Sequence, residues 1–153
     1  MELSPHDLES IATATLAHYN NHADDFRVGT RDHDVSQNID ALLRHVEGAP
    51  PFAILDFGCG PGRDLMALRA LGHAPVGLDA CEAFVTMARA PSGCEVLQQS
   101  FFDLELGGGR FAGVFSDASL FPVPRAALPR VAAAPFDAPR RRWGLFFSDP
   151  PAC

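Results

Sequence analysis

The chain contains no lysine. Its 12 basic residues are all arginine, against 19 Asp and Glu, and the formal net charge is −7. This shortage of positive charge argues against a nucleic-acid partner, because phosphate-backbone binding needs a basic patch. The basic run Arg140-Arg141-Arg142 reads as a solvated turn. Long apolar runs are missing as well. Neither a signal-peptide core nor an 18-residue hydrophobic stretch occurs, which argues against secretion and membrane spanning and for a cytoplasmic protein. The four cysteines (Cys59, Cys81, Cys94, Cys153) form no C-x-x-C pair and have no histidine at ligand spacing. They are expected to be reduced thiols, with no metal site. The all-arginine usage, with abundant Ala, Gly and Pro, suggests a GC-rich coding sequence and says nothing of function.

What is present is an ordinary globular composition, 47% hydrophobic and 20% charged over 153 residues. That length predicts one domain, with about two-thirds of the unfolded surface buried on folding. The informative stretch is Ile54-Leu55-Asp56-Phe57-Gly58-Cys59-Gly60-Pro61-Gly62. An apolar run from Phe52 ends in an acidic residue, passes three alternating glycines and opens a helix at Arg63. Glycines at 58, 60 and 62 permit positive φ and a ligand's close approach, and the free N–H groups of the new helix point into the same space. Such a turn suits a nucleotide-like ligand. The D-x-G-x-G-x-G pattern differs from the dinucleotide G-x-G-x-x-G, in which a third glycine aids helix–strand packing. A second apolar run, Ala74 to Leu78, ends in Asp79. A carboxylate there is placed to accept ribose hydroxyls; the alternative is a cap for the helix at 81–89.

Elsewhere the hydrophobic spacing predicts helices over 6–20 and 35–46, separated by a polar stretch from Asn20 to His33. Strands are predicted at 52–57, 74–78, 94–98, 111–116 and 144–148. Helices are predicted at 63–71, 81–89 and 124–133. Short apolar strands alternating with helices imply βαβ units and a parallel sheet, with a ligand at the strands' carboxyl ends.

The glycine turn with its leading Asp56 resembles motif I of the class I S-adenosylmethionine (SAM) methyltransferases. The segment Gly29 to Ile39 (G-T-R-D-H-D-V-S-Q-N-I), the Gly-Pro-Gly-Arg-Asp turn at 60–64, Glu95 to Ser100 and Ala118-Ser119-Leu120-Phe121 resemble a narrower bacterial group. That group is similar to the methyltransferase domain of ovothiol-synthesising enzymes, which methylates a thiohistidine ring. The resemblance covers roughly residues 15–131 and, more loosely, 144–150. It implies an α/β, Rossmann-like doubly wound sheet of about five parallel strands in the order 3-2-1-4-5. Residues 1–50 would form a helical lid and 51–153 the core of a single domain.

The resemblance further implies SAM as cofactor, S-adenosylhomocysteine (SAH) as product, and a small-molecule acceptor of thiol or imidazole type. It implies cofactor contacts from Asp56, Gly58, Cys59, Gly60, Gly62, Arg63, Asp79, Ala80, Ser100, Phe101 and Asp117. The acceptor and lid side would be built by Tyr19, Arg31, His33, Ser119 and Phe121. Tyr19 could close over the sulfonium or pack in the core, and Arg31 and His33 either face the pocket or join a capping network with Asp34 or Ser36 as N-cap. In-line methyl transfer to a good nucleophile needs mainly positioning and desolvation, and His33 is the one base candidate. His6, His18, His22, His45 and His73 read as surface or packing residues.

Three departures stand out. Ser100 occupies the adenine-binding position where an acidic residue is expected. Pro122 replaces a histidine of the group. Residues 132–143 carry Pro135 and Pro139, each costing about 3 kcal/mol inside a helix, so that helix should stop near Ala134. The usual last helices and antiparallel strand pair are missing, which makes a truncated or degenerate member the expectation, its sheet edge covered by a second copy or a partner chain. A non-catalytic SAM-binding or pairing protein is the alternative; the glycine spacing argues against an NAD-type oxidoreductase.

Overall fold

A computed structural model describes residues 3–107 and 110–117, and the backbone of 144–148. The predicted helix at 124–133, Ser119, Phe121 and Pro122 lie outside the described residues. Helix α1 (Pro5–Asn21) starts at a capping box: Ser4 Oγ accepts from the Asp7 N–H at 3.1 Å, and Asp7 Oδ2 accepts from the Ser4 N–H at 2.8 Å. Pro5 opens the helix without loss, since its missing N–H would be unpaired there anyway.

Helix α2 (Ala23–Thr30) lies within the stretch expected to be a polar connection. Its sequence, A-D-D-F-R-V-G-T, offers only a narrow apolar stripe, and so short a helix depends on packing. That packing is present: Ala23 is buried against Cys81 and Phe84. Asp24 and Asp25 occupy the first turn, where carboxylates oppose the helix dipole. Helix α3 (Ser36–Leu43) buries Ile39 and Leu42 and ends three residues before the predicted stop. Its N-cap position is Val35, not Asp34 or Ser36; Asp34 instead accepts the Ser36 N–H through Oδ1 at 2.9 Å.

Strands β1 (Ala53–Phe57), β2 (Ala74–Asp79), β3 (Val96–Gln98), β4 (Gly113–Asp117) and β5 (Gly144–Ser148) form one parallel sheet in the order β3-β2-β1-β4-β5. This is the Rossmann-like topology expected, with strands within two residues of their predicted positions. Helices α4 (Arg63–Ala70) and α5 (Glu82–Ser92) make the crossovers. Alternation along β1 sends Ile54 to the face covered by α3 and α4, and Leu55 and Phe57 to the other, beside Leu78 and Val114. Helix α5 runs past the predicted stop because Pro91 sits in its last turn, before a left-handed Gly93 whose N–H bonds the Arg89 carbonyl. Among the described residues, no helix is long and apolar enough to cross a membrane.

Candidate functional site

Parallel register determines what gathers at the carboxyl edge of the sheet. Asp56 pairs with Gly77 on one side and Phe115 on the other. Asp79 and Asp117 lie two residues beyond those partners, so all three carboxylates are on the face that α4 covers. The chain then leaves β1 through Gly58, Gly60 and Gly62, with φ of 79°, 53° and 95°. The Gly58 and Cys59 N–H groups donate to the Leu78 carbonyl at 2.8 and 3.0 Å, folding the turn across the end of β2. Asp79 holds it there. Its Oδ2 accepts from the Gly60 N–H at 3.0 Å and its Oδ1 from the Cys81 N–H at 2.9 Å. Burial raises its pKa against these backbone bonds.

Asp56 is 1% exposed, and its Oδ2 has no hydrogen-bond partner. Burial, and then the neighbouring Asp64, push its pKa far above the ordinary carboxylate value, against the pull of Arg63. Arg63 is the hub of the site. Its Nε donates to Asp64 Oδ1 at 2.8 Å, Nη2 to Asp117 Oδ2 at 2.9 Å and to Asp64 Oδ2 at 3.3 Å, and Nη1 to the Thr30 carbonyl at 2.9 Å. Burial opposes its charge, but the bonds and charges of Asp64, Asp117 and Asp56 win, and its pKa is raised. Burial likewise raises Asp64 despite the arginine. Asn38 Nδ2 donates to Asp117 Oδ1 at 3.3 Å, tying α3 to the same network.

The expected site residues divide into those the structure gathers and those it turns away. Asp56, Gly58, Gly60, Arg63, Asp79 and Asp117 come together around the turn, with Ala80 half-buried beside them. The Cys59 side chain faces the core, in a cluster with Leu65, Val85 and Val96, and burial drives its thiol pKa sharply upward. Only its backbone can meet a ligand. A Cβ on Gly62 would come within 2.9 Å of Ala88 Cα and Cβ, so this glycine permits α4–α5 packing rather than ligand approach. Ser100 Oγ accepts from the Phe102 N–H at 3.2 Å, and Phe101 packs its ring 4.5 Å from that of Phe57. Arg31 is exposed beside Asp32, and His33 is exposed. Tyr19 is half-buried, its pKa raised by burial and then by Asp79. His73 accepts the Phe52 N–H through Nδ1 at 3.1 Å and stacks on the Phe52 ring, which is the packing alternative of the two expected for it.

Sequence reasoning missed Phe26, Asp64, Asn20 and Asn38. Phe26 reaches back from α2 so that its Cε1 would lie 3.7 Å from a Cβ on Gly60. Its ring forms a cluster with Tyr19 and Phe84, at centroid distances of 5.7 and 5.1 Å. Asn20 Oδ1 accepts the Ala83 N–H at 3.1 Å, capping α5 from another helix. The one available signal for Phe26 was an aromatic residue isolated in a polar stretch.

A family model described as "Methyltransferase domain" matches residues 54–137, more than half the chain. No curated protein matches. Among solved structures, the chain is similar to one in the complex between the Haloferax volcanii Trm112 methyltransferase activator and a methyltransferase, at 28% identity and TM-score 0.57, over 67% of this chain and 48% of that one. It is similar to magnesium protoporphyrin IX methyltransferase from Synechocystis PCC 6803 with bound SAH, at 22% identity and TM-score 0.66, over 90% and 71% of the two chains. It is also similar to DhpI in a complex with SAM and HEP, at 19% identity and TM-score 0.70, over 96% and 68%. The chain thus spans about half the length of the first and about seven-tenths of the others.

Proposed function

The chain belongs to the methyltransferase domain family, and from that premise we propose that it is a SAM-dependent methyltransferase acting on a small molecule. The observation that carries this reading is the charge of the site. Asp56, Asp64, Asp79 and Asp117 surround the glycine turn with Arg63 as the cation among the described residues there. A pyrophosphate would meet like charges, each pair repelling by about 4 kcal/mol at 4 Å in a protein-surface dielectric. SAM carries a sulfonium, an ammonium and one carboxylate, which matches several aspartates and one arginine.

The residues present fit this cofactor. Asp56 has an orphaned buried oxygen, and Gly60 leaves room that a side chain would fill. Asp56 with the Gly58 and Gly60 backbone would hold the methionyl end, Arg63 its carboxylate and Asp117 its amine. Beyond its bonds to the backbone N–H groups, the Asp79 carboxylate has acceptor capacity left for a ribose hydroxyl. Ala80, Ser100 and Phe101 would border the adenine. When bound, SAM supplies an electrophilic methyl group. The chain's own work is to position the acceptor in line and exclude water.

The thiol or imidazole acceptor, and the kinship with the thiohistidine-methylating group, rest only on the resemblance carried by residues 29–39, 60–64, 95–100 and 118–121. The free thiols of Cys59, Cys81 and Cys94 suit a reducing, cytoplasmic setting. A second copy or a partner chain beside β5, one of the two edge strands of the sheet, belongs to the same proposal.

A second reading, a SAM-binding protein without turnover, is favoured by the exposure of His33 and the uncharged Ser100. Titration calorimetry should give micromolar binding of SAM and none of NAD; absence of SAM binding ends both readings. Incubation with SAM and a panel of thiols and imidazoles should then yield SAH. Binding without SAH formation selects the second reading.

A further inference from the structure

We propose that Phe26 is a wall of the cofactor site, held over the glycine turn by the bond between Arg63 and the Thr30 carbonyl. The proposal rests on the SAM reading above and adds to it a binding residue that no motif marks.

Three observations carry it. The first is placement. The Phe26 ring edge lies against Gly60, the residue whose N–H is fixed by Asp79, so the ring borders the space between the turn and the end of β2. The second is incomplete burial. Phe26 packs on Tyr19 and Phe84, yet it stays 39% exposed while Phe84 is 3% exposed. Part of the ring is therefore accessible to solvent, next to the turn whose Gly60 N–H is held by the Asp79 carboxylate. An aromatic face next to anionic groups is the arrangement that attracts an organic cation. The third is the tether. α2 is a helix of eight residues with Ala23 as its one fully buried position, too short to be stable without tertiary contacts. Its amino-terminal half is held through the aromatic cluster and its carboxyl end through Arg63 Nη1 to the Thr30 carbonyl at 2.9 Å. The guanidinium that would take the cofactor's carboxylate thus also positions the helix that carries Phe26. Phe26 is the binding residue here, and Arg63 is additionally a positioning residue.

The alternative, a ring that merely completes the cluster with Tyr19 and Phe84, makes different predictions. Calorimetry with SAM on the wild-type chain, on Phe26→Ala and on Phe26→Tyr tests the two. Phe26→Ala should weaken SAM binding at least tenfold, and Phe26→Tyr should stay within threefold of wild type. A wild-type chain that binds SAM beside a Phe26→Ala variant with affinity within twofold overturns the proposal while the SAM reading stands. A wild-type chain that does not bind SAM overturns both. Should Phe26→Ala fold poorly, hydrogen exchange on the wild-type chain decides without it. SAM should slow exchange of the amides in residues 23–30 at least tenfold, and unchanged exchange there, with binding shown by calorimetry, also overturns the proposal. A further readout is Arg63→Lys, which keeps the charge but loses the fork. It should bind SAM more weakly and leave residues 23–30 exchanging faster than wild type before any ligand is added; unchanged exchange in that variant removes the tether from the proposal.

Discussion

Gly62 and Gly72 both take positive φ, 95° and 88°, but they face different surroundings. A methyl group on Gly72 meets nothing within 4 Å, whereas one on Gly62 meets Ala88 at 2.9 Å. Gly72→Ala should therefore cost only the left-handed strain, about 1–2 kcal/mol. Gly62→Ala adds overpacking of about 1–3 kcal/mol, which should make it clearly the worse of the two in urea denaturation; equal losses would refute the packing role. Asp56 supports a prediction of opposite sign. Because its pKa is raised on folding, the folded chain binds more protons than the unfolded one above the ordinary carboxylate pKa, and stability falls as pH rises through that window. Asp56→Asn removes this contribution, while Asp64 and Asp79, also raised, keep some of the slope. Denaturation of the ligand-free chain at pH 5 and pH 8 should show the variant gaining on wild type at the higher pH, and parallel profiles would count against it. The sequence placed Asp56, Asp79 and Arg63 correctly at the turn. It could not say which way Cys59 points or what Gly62 touches, because a glycine pattern records permitted backbone angles and not the neighbour that fills the space.

At the scale of elements, the strands were legible because each is a short apolar run between helices, and a parallel sheet buries both faces. α2 was not legible. Its charged first turn and its glycine at 29 conceal the short apolar pair Ala23 and Phe26, and only contact with α5 and the turn makes the helix worth forming. The docking of α1 was equally hidden, since it depends on an amide reaching a helix start 63 residues away. Cys81, the N-cap of α5, offers no side-chain bond to that helix, and Asn20 accepts the Ala83 N–H in its place. Loss of a cap typically costs about 1 kcal/mol. Asn20→Ala should lower stability by about that amount and speed hydrogen exchange in the first turn of α5. Asn20→Asp should retain the acceptor and lose less; equal losses from the two variants would show that the amide does not act as a cap.

For the molecule as a whole, charge is the property that joins composition to function. A chain with a net charge of −7 and no lysine concentrates four carboxylates at the edge of its sheet, three of them with pKa values raised by burial. Those groups hold protons more readily than exposed aspartates. A cationic ligand favours their ionised form, so binding should expel protons as the pH falls toward their raised pKa values. SAM bears one more positive charge than SAH at neutral pH, the sulfonium. SAM affinity should therefore weaken on acidification from pH 8 to pH 5.5, and SAH affinity should weaken less. Salt should act in the same direction, since the screening length is only about 8 Å at physiological ionic strength; the effect should be modest because Asp56 and Asp64 are buried. Calorimetry of both ligands across that pH range, in buffers of different ionisation enthalpy, measures the affinity and the proton release together. A SAM profile that is flat, or no steeper than that of SAH, would mean that the carboxylates do not recognise the sulfonium's charge, and the choice of SAM over an anionic nucleotide would then have to come from shape alone.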